Sequence, residues 1–196
     1  MRVGVLALQG DVMEHRAALE ALDAEVVEVR SPSDLEGLDA MVFPGGESTT
    51  ISLLLELTGL FEPLRDWVSS DRPTLGTCAG LVLLSNAIAD GRPDQRGLGG
   101  LDITVQRNGY GRQRFSFEAT VESPEFETSF EAVFIRAPKI LTTGDDVKIL
   151  GTLAEDGAHA GTPVMVQQGS LIGCAFHPEL AGDVRLHRRL LDLAEA

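Results

Sequence analysis

Thr74-Leu75-Gly76-Thr77-Cys78-Ala79-Gly80-Leu81 is the stretch on which the fold turns. Residues 74–77 have the character of a strand end, and residues 79–88 read as an apolar helix. The change falls on a cysteine bracketed by two glycines. Gly-x-Cys-x-Gly between a strand and a helix is the nucleophile-elbow pattern with sulfur in place of a hydroxyl. The tight turn asks for glycine on both sides, because neighbouring chain has to pass close. The following helix turns its N-terminal N–H groups and the positive end of its dipole toward the sulfur, which favours thiolate. A lone cysteine is otherwise a small buried hydrophobe. The glycine bracket and the strand-to-helix setting select Cys78 as the nucleophile.

Outward from the elbow, the first half alternates strands and helices. Residues 2–8, 25–29 and 40–43 are short apolar or alternating strands. Residues 12–22, 48–57 and 61–68 have helical spacing, with Asp11 as the N-cap of the first and Glu14 as its capping-box partner. Apolar strands separated by helices predict an α/β fold: three layers, with a mostly parallel central sheet covered by helices on both faces. Ligands bind at the carboxyl ends of such strands. Gln9-Gly10, Pro44-Gly45-Gly46 and Thr77-Cys78 fall there. The second half adds strands at 102–105, 115–121, 132–135, 147–153, 163–166 and 171–176. Gly169-Ser170 is a hairpin turn, 183–194 a closing helix, and 90–100 a charged loop.

The chain has 196 residues, which predicts one domain over 1–196. Acids number 30 and bases 16, a net charge of −14. That argues against nucleic-acid and anionic-membrane surfaces, since no general positive field exists to release counterions. The N-terminus has no signal-peptide layout, and no apolar run reaches the roughly 18 residues of a membrane helix. A cytoplasmic protein is expected. With two cysteines, a disulfide framework is not the plan.

A cysteine nucleophile wants a base, and the base an orienting acceptor. His177-Pro178-Glu179 follows the strand 171–176. Residues two apart in extended chain point to one side, so Glu179 can lie beside the His177 ring and fix its tautomer. Pro44-Gly45-Gly46-Glu47-Ser48 places consecutive glycines at a strand end. Their N–H groups, with that of Ala79, suit a developing oxyanion. The same segment also reads as a plain turn with Ser48 as N-cap. No Gly-x-x-x-x-Gly-Lys or Gly-x-Gly-x-x-Gly stands at a strand-helix junction, and no cluster has metal-ligand spacing, so neither cofactor nor metal is expected. His15, His159 and His187 read as surface or helix residues, and Cys174 as packing.

Together these residues resemble the class I, triad-type glutamine amidotransferases. Leu8-Gln9-Gly10, Pro44 to Thr50, Gly76 to Leu81, Arg107-Asn108-Gly109-Tyr110-Gly111-Arg112-Gln113, Phe134 to Pro138 and Phe176 to Leu180 are similar to the glutaminase subunits of pyridoxal 5′-phosphate synthase, nearly end to end. The resemblance implies a flavodoxin-like amidotransferase fold and hydrolysis of L-glutamine to glutamate and ammonia. It also implies delivery of that ammonia to a barrel-shaped synthase subunit that builds the vitamin B6 cofactor. By motif, Cys78 is then the nucleophile, His177 the base and Glu179 its orienter. Gly46, Glu47, Ser48, Arg107, Ile135 and Arg136 contact glutamine, and Gly45, Gly46 and Ala79 form the oxyanion hole. A guanidinium at Arg107 suits the substrate α-carboxylate. The departure from the family pattern is the loop 90–100, longer and more charged, expected to lie away from the core motifs. Three alternatives stay open: a glutaminase serving another ammonia acceptor, a γ-glutamyl or peptide hydrolase with the same elbow, and a non-enzymatic module with a redox-sensing cysteine.

Overall fold

Short apolar runs without polar alternation are strands covered on both faces, and here they form the parallel half of a sheet. The computed structural model describes residues 1–92, 95–110, 116–154 and 159–196. Its strands are β1 (Arg2–Leu6), β2 (Glu25–Val29), β3 (Ala40–Phe43), β4 (Thr74–Thr77), β5 (Ser85–Ile88), β6 (Leu101–Gln106), β7 (Ser116–Glu122), β8 (Phe130–Ile135), β9 (Lys139–Thr143), β10 (Lys148–Leu153), β11 (Pro163–Gln168) and β12 (Leu171–Cys174). Its α-helices are α1 (Val12–Glu20), α2 (Ser48–Thr58), α3 (Phe61–Ser69), α4 (Ala79–Leu84) and α5 (Arg185–Glu195).

One nine-stranded sheet runs in the order β2-β1-β3-β4-β12-β11-β10-β7-β8. The pairings from β2 to β12 are parallel, and those from β12 to β8 antiparallel. The parallel core and the antiparallel extension both match expectation. Because β3, β4 and β12 are adjacent and parallel, the chain leaves all three at one edge. That edge collects Gly45, Cys78 and His177.

Helices cover both faces of the sheet, and β4 shows it. Thr74 Oγ1 accepts the Trp67 indole N–H from α3 at 3.0 Å, whereas Thr77 Oγ1 meets His15 of α1 at 3.0 Å. Residues three apart on a strand face opposite ways, so α3 and α1 lie on opposite sides.

The antiparallel extension curls back onto the carboxyl edge. Phe134 of β8 stacks on Phe117 of β7 at 4.6 Å between ring centroids and lies 5.7 Å from Phe176. Burying each such ring contributes about 1.5–3 kcal/mol. The His177 N–H donates to Val133 O at 2.9 Å. The end of β8 is thereby held over the end of β12.

Several local expectations are corrected. The helix expected over 79–88 stops at Leu84. Ser85 Oγ donates to Val82 O at 2.8 Å, meeting a carbonyl freed at the helix end, and residues 85–88 pair with β6 instead. β9 was not anticipated: its polar residues, Lys139, Thr142 and Thr143, mask the strand pattern. Asp11 makes no capping bond at α1, and no capping box with Glu14 forms, because its carboxylate turns to His177. The hairpin at Gly169-Ser170 is as expected, with Gln168 paired to Leu171. Of the sequence expectations, Gly111, Arg112, Gln113, Phe115 and residues 93–94 of the loop 90–100 lie outside the described residues. Among the described residues no helix is long and apolar enough to cross a membrane.

Candidate active site

The elbow is strained. Cys78 has φ 48° and ψ −101°, in the left-handed half of backbone space for a residue bearing a side chain. Such a conformation costs about 1–3 kcal/mol and persists only where the surroundings impose it. Here the Cys78 N–H donates to Cys174 O at 2.9 Å, and Cys78 O accepts from Val82 N at 3.3 Å. The bracketing glycines are required by close approach. A Cβ on Gly80 would stand 2.0 Å from Phe43 O, and one on Gly76 would stand 2.7 Å from Gly80 O. β3, the elbow and α4 therefore pack backbone on backbone.

His177 stands over this turn. Its ring and the Cys78 sulfur line one cavity. Its Nδ1 lies 2.8 Å from Glu179 Oε1 and 3.2 Å from Asp11 Oδ2. Burial works against the imidazolium, but hydrogen bonds to Asp11, Cys78 and Glu179, with the charge at Cys78, outweigh it and push the pKa up to about 12. Burial drives the Glu179 carboxyl upward, and His177 opposes that rise. A thiol, an imidazole and a carboxylate in this order can serve as nucleophile, acid–base group and orienter. The Cys78 thiol also points at Ile135 O, at the long distance of 3.7 Å.

A cavity of about 230 Å³ opens beside the sulfur. That is below the roughly 300–1,000 Å³ of sites for drug-sized ligands, so it suits a molecule the size of one amino acid. Gly46, Glu47 and Ser48 line it from the turn after β3, Cys78 and Ala79 from the elbow, Arg107 from the end of β6, Ile135 and Arg136 from the end of β8, and His177 from beyond β12. Of the residues predicted from sequence, Gly45 and Glu179 do not line it. Glu179 is buried behind His177. Gly45 backs the His177 ring, and its carbonyl accepts from the Asp11 N–H at 3.2 Å.

The predicted contact residues are held by neighbours. Glu47, rather than Ser48, caps α2: its carboxylate accepts from Thr49 N at 3.2 Å and from Thr50 N and Oγ1 at 2.7 Å each. Partial burial opposes the charge, but these bonds prevail and lower its pKa to about 2. Ser48 Oγ accepts from Gln95 Nε2 at 3.0 Å. Arg107 donates to Thr49 Oγ1 at 2.7 Å and to Asp90 O at 3.0 Å. Asp90 and Gln95 belong to the loop 90–100, so the described part of that loop touches the site, contrary to expectation. Arg136 takes φ 45°, a second strained residue at the cavity.

Sequence reasoning did not assign Gln9, Asp11 or Asn108, which also line the cavity. Gln9 Oε1 accepts the Glu47 N–H at 2.7 Å and so fixes the turn. The signal for Gln9 was its place at a strand's carboxyl end, whereas Asp11 looked like an ordinary cap. His15 and His187 are helix residues, on α1 and α5, but fully buried rather than at the surface. The ring of His159 lies edge-on to Tyr110, with centroids 5.0 Å apart. Cys174 is packing, as expected: it is fully buried, its thiol donates to Phe176 O at 3.4 Å, and burial raises its pKa well above the ordinary value. Asp11, His177 and Glu179 bring potential metal-ligand atoms within 4.8 Å of one another. Both carboxylates already meet the same ring nitrogen.

The family model of the SNO glutamine amidotransferase family matches residues 5–195. The chain is 47% identical to the pyridoxal 5′-phosphate synthase subunit PdxT of Corynebacterium jeikeium, covering 100% of this chain and 97% of that protein. It is 50% identical to the PdxT of Rhodococcus opacus, covering 97% and 96%. A crystal structure described as a glutamine amidotransferase superposes with a TM-score of 0.89 at 46% identity, over 99% of each chain. A glutamine amidotransferase from Thermotoga maritima, 15% identical over 100% of this chain and 99% of that one, shares the fold with a TM-score of 0.66. With its elbow cysteine, its histidine–carboxylate pair and this likeness along its whole length, the chain belongs to the SNO glutamine amidotransferase family.

Proposed function

We propose that this chain hydrolyses L-glutamine to glutamate and ammonia and passes the ammonia to a synthase subunit that makes pyridoxal 5′-phosphate. Cys78 is the nucleophile, His177 the acid–base group and Glu179 its orienter, all within one cytoplasmic domain spanning 1–196. The observation that carries this reading is a single imidazole that shares a cavity with a strained elbow cysteine and has a buried carboxylate 2.8 Å from its Nδ1.

The Cys78 proton passes to His177, and the sulfur attacks the side-chain amide carbon of glutamine. The negative oxygen is met by the N–H groups of Ala79 and Gly46, the two predicted donors that line the cavity; losing one such donor typically costs 100- to 1,000-fold. His177 returns the proton to the nitrogen as the C–N bond breaks, and ammonia leaves a γ-glutamyl thioester. Water, deprotonated by His177, attacks the thioester to release glutamate and restore the thiol. Arg107 and Arg136 supply positive charge for the α-carboxylate, and Glu47 negative charge for the α-ammonium group. The partner is a barrel-shaped synthase subunit that takes ammonia directly, since ammonia reacts only while unprotonated.

The test is labelling with a glutamine-analogue electrophile. One adduct is expected, on Cys78, blocked by glutamine. Cys78→Ala is expected to fold, take no label and release no glutamate. Glutaminase activity undiminished in Cys78→Ala, or label on Cys174, refutes the reading.

A further inference from the structure

Behind Glu179 lies a buried polar chain that the chemistry above does not use. His15 Nδ1 is 2.9 Å from His187 Nε2. His15 Nε2 is 3.0 Å from Thr77 Oγ1 and 3.5 Å from Glu179 Oε1. All four side chains are buried. Glu179 Oε1 therefore faces two imidazoles, His177 and His15, while its Oε2 has no hydrogen-bond partner among the described residues.

Two proton arrangements satisfy a pair of neutral rings in series. In one, His187 Nε2–H donates to His15 Nδ1, and His15 Nε2–H points at Thr77 and the carboxylate. The buried His187 Nδ1, which has no partner among the described residues, is then a bare lone pair. In the other, His15 Nε2 turns a lone pair toward an anion, and His187 Nδ1 buries an unpaired N–H. The first is preferred, since it gives both ring N–H donors a partner and aims one at the charge. Burial keeps both rings neutral. It lowers the His187 pKa to about 4 despite Asp183, and it lowers that of His15 well below the ordinary value, with His187 and His177 adding to the effect.

The placement matters because Thr77 immediately precedes the nucleophile, whereas Glu179 comes from the far end of the chain. His15, from a third element, touches both. We propose that His15, oriented by His187, is a positioning residue of the triad: its Nε2–H holds the Glu179 carboxylate toward His177 and ties it to Thr77. The proposal rests on the glutaminase reading above. The ionisable groups around Glu179 are His177, Asp11, His15 and the Cys174 thiol; those around His15 are Glu179, His187 and His177, with Asp183 beyond His187. Withdrawing the His15 donor lets burial neutralise Glu179 more readily. The acid limb of kcat then moves to higher pH.

Two amide substitutions separate donation from packing. The amide of His15→Gln reaches about as far as Nε2 and can still donate toward Glu179. That of His15→Asn reaches only as far as Nδ1. The assay is glutamate release by the full chain with its synthase partner, against glutamine and pH. His15→Asn is expected to lower kcat roughly 10- to 100-fold, the scale of a misplaced catalytic group. KM is expected to change less than threefold and the acid limb to rise by about half a pH unit or more. His15→Gln is expected to recover most of kcat and the wild-type limb. In a Glu179→Gln background, His15→Asn is expected to cost less than about twofold. Equal losses in the Asn and Gln variants, an unmoved pH profile, or a full extra loss without Glu179 overturns the proposal. A wild-type chain that releases no glutamate overturns the glutaminase reading as well.

Discussion

Gly45→Ala probes the triad geometry with one methyl group. A Cβ at Gly45 would stand 2.3 Å from His177 Cε1, 2.9 Å from His177 Nδ1 and 2.8 Å from Asp11 Oδ2. Carbon atoms in contact settle near 3.5–4.0 Å, so the ring must retreat by about 1 Å. It has little room: His177 is 3% exposed, its N–H is held by Val133 O, and its Nδ1 is held by Glu179. Retreat lengthens the contact with either the sulfur or the carboxylate. Gly45 is not among the residues with positive φ, so alanine adds no left-handed strain and the effect reports the clash alone. Overpacking of this kind costs about 1–3 kcal/mol of stability, a fall in Tm of roughly 2–12 °C for a chain of this size. A displacement of about 1 Å at the reacting groups costs on the order of 100-fold in rate. Glutamate release and thermal melting, measured together, are expected to show a folded chain with kcat down by roughly 30-fold or more. A kcat within threefold of wild type refutes the placement of His177 against this turn.

Glu47→Gln removes the charged cap of α2. With Glu47 near 2 in the folded chain against an ordinary 4.5, its contribution to stability is present above about 4.5 and lost as pH falls toward 2. The full shift corresponds to about 3.4 kcal/mol, but at this partly exposed site solvent screening reduces it to about 1 kcal/mol. Denaturant unfolding is expected to show a deficit of about 1 kcal/mol at pH 7 that narrows by pH 3; a deficit that does not change with pH contradicts the capping role. Arg107→Ala is expected to raise the KM for glutamine roughly 10- to 100-fold, the loss of about 1.5–3 kcal/mol for a hydrogen bond to a charged group, with kcat changed less. An unchanged KM removes Arg107 from the binding set.

The parts of this molecule legible in sequence are those fixed by local chemistry. Gly76 and Gly80 announce a turn where backbone meets backbone, and the apolar runs at Val3, Val42 and Leu75 announce strands covered on both faces. What was not legible depends on partners distant in sequence. Asp11 carries every local mark of an N-cap, yet its carboxylate is drawn to a ring 166 positions further along. Ser85 stands in an apolar run of helical spacing, but a parallel partner, β6, offers the following residues a ladder that the helix cannot. His15 sits among polar neighbours on α1 and looks like surface. Only when α5 brings His187 against it does its burial make sense, because each ring then supplies the hydrogen bond the other needs. A buried polar residue is stable only where its partner is. The elbow cysteine could therefore be read from its own glycines, while the buried histidines behind Glu179 became visible only once the two ends of the chain were folded together.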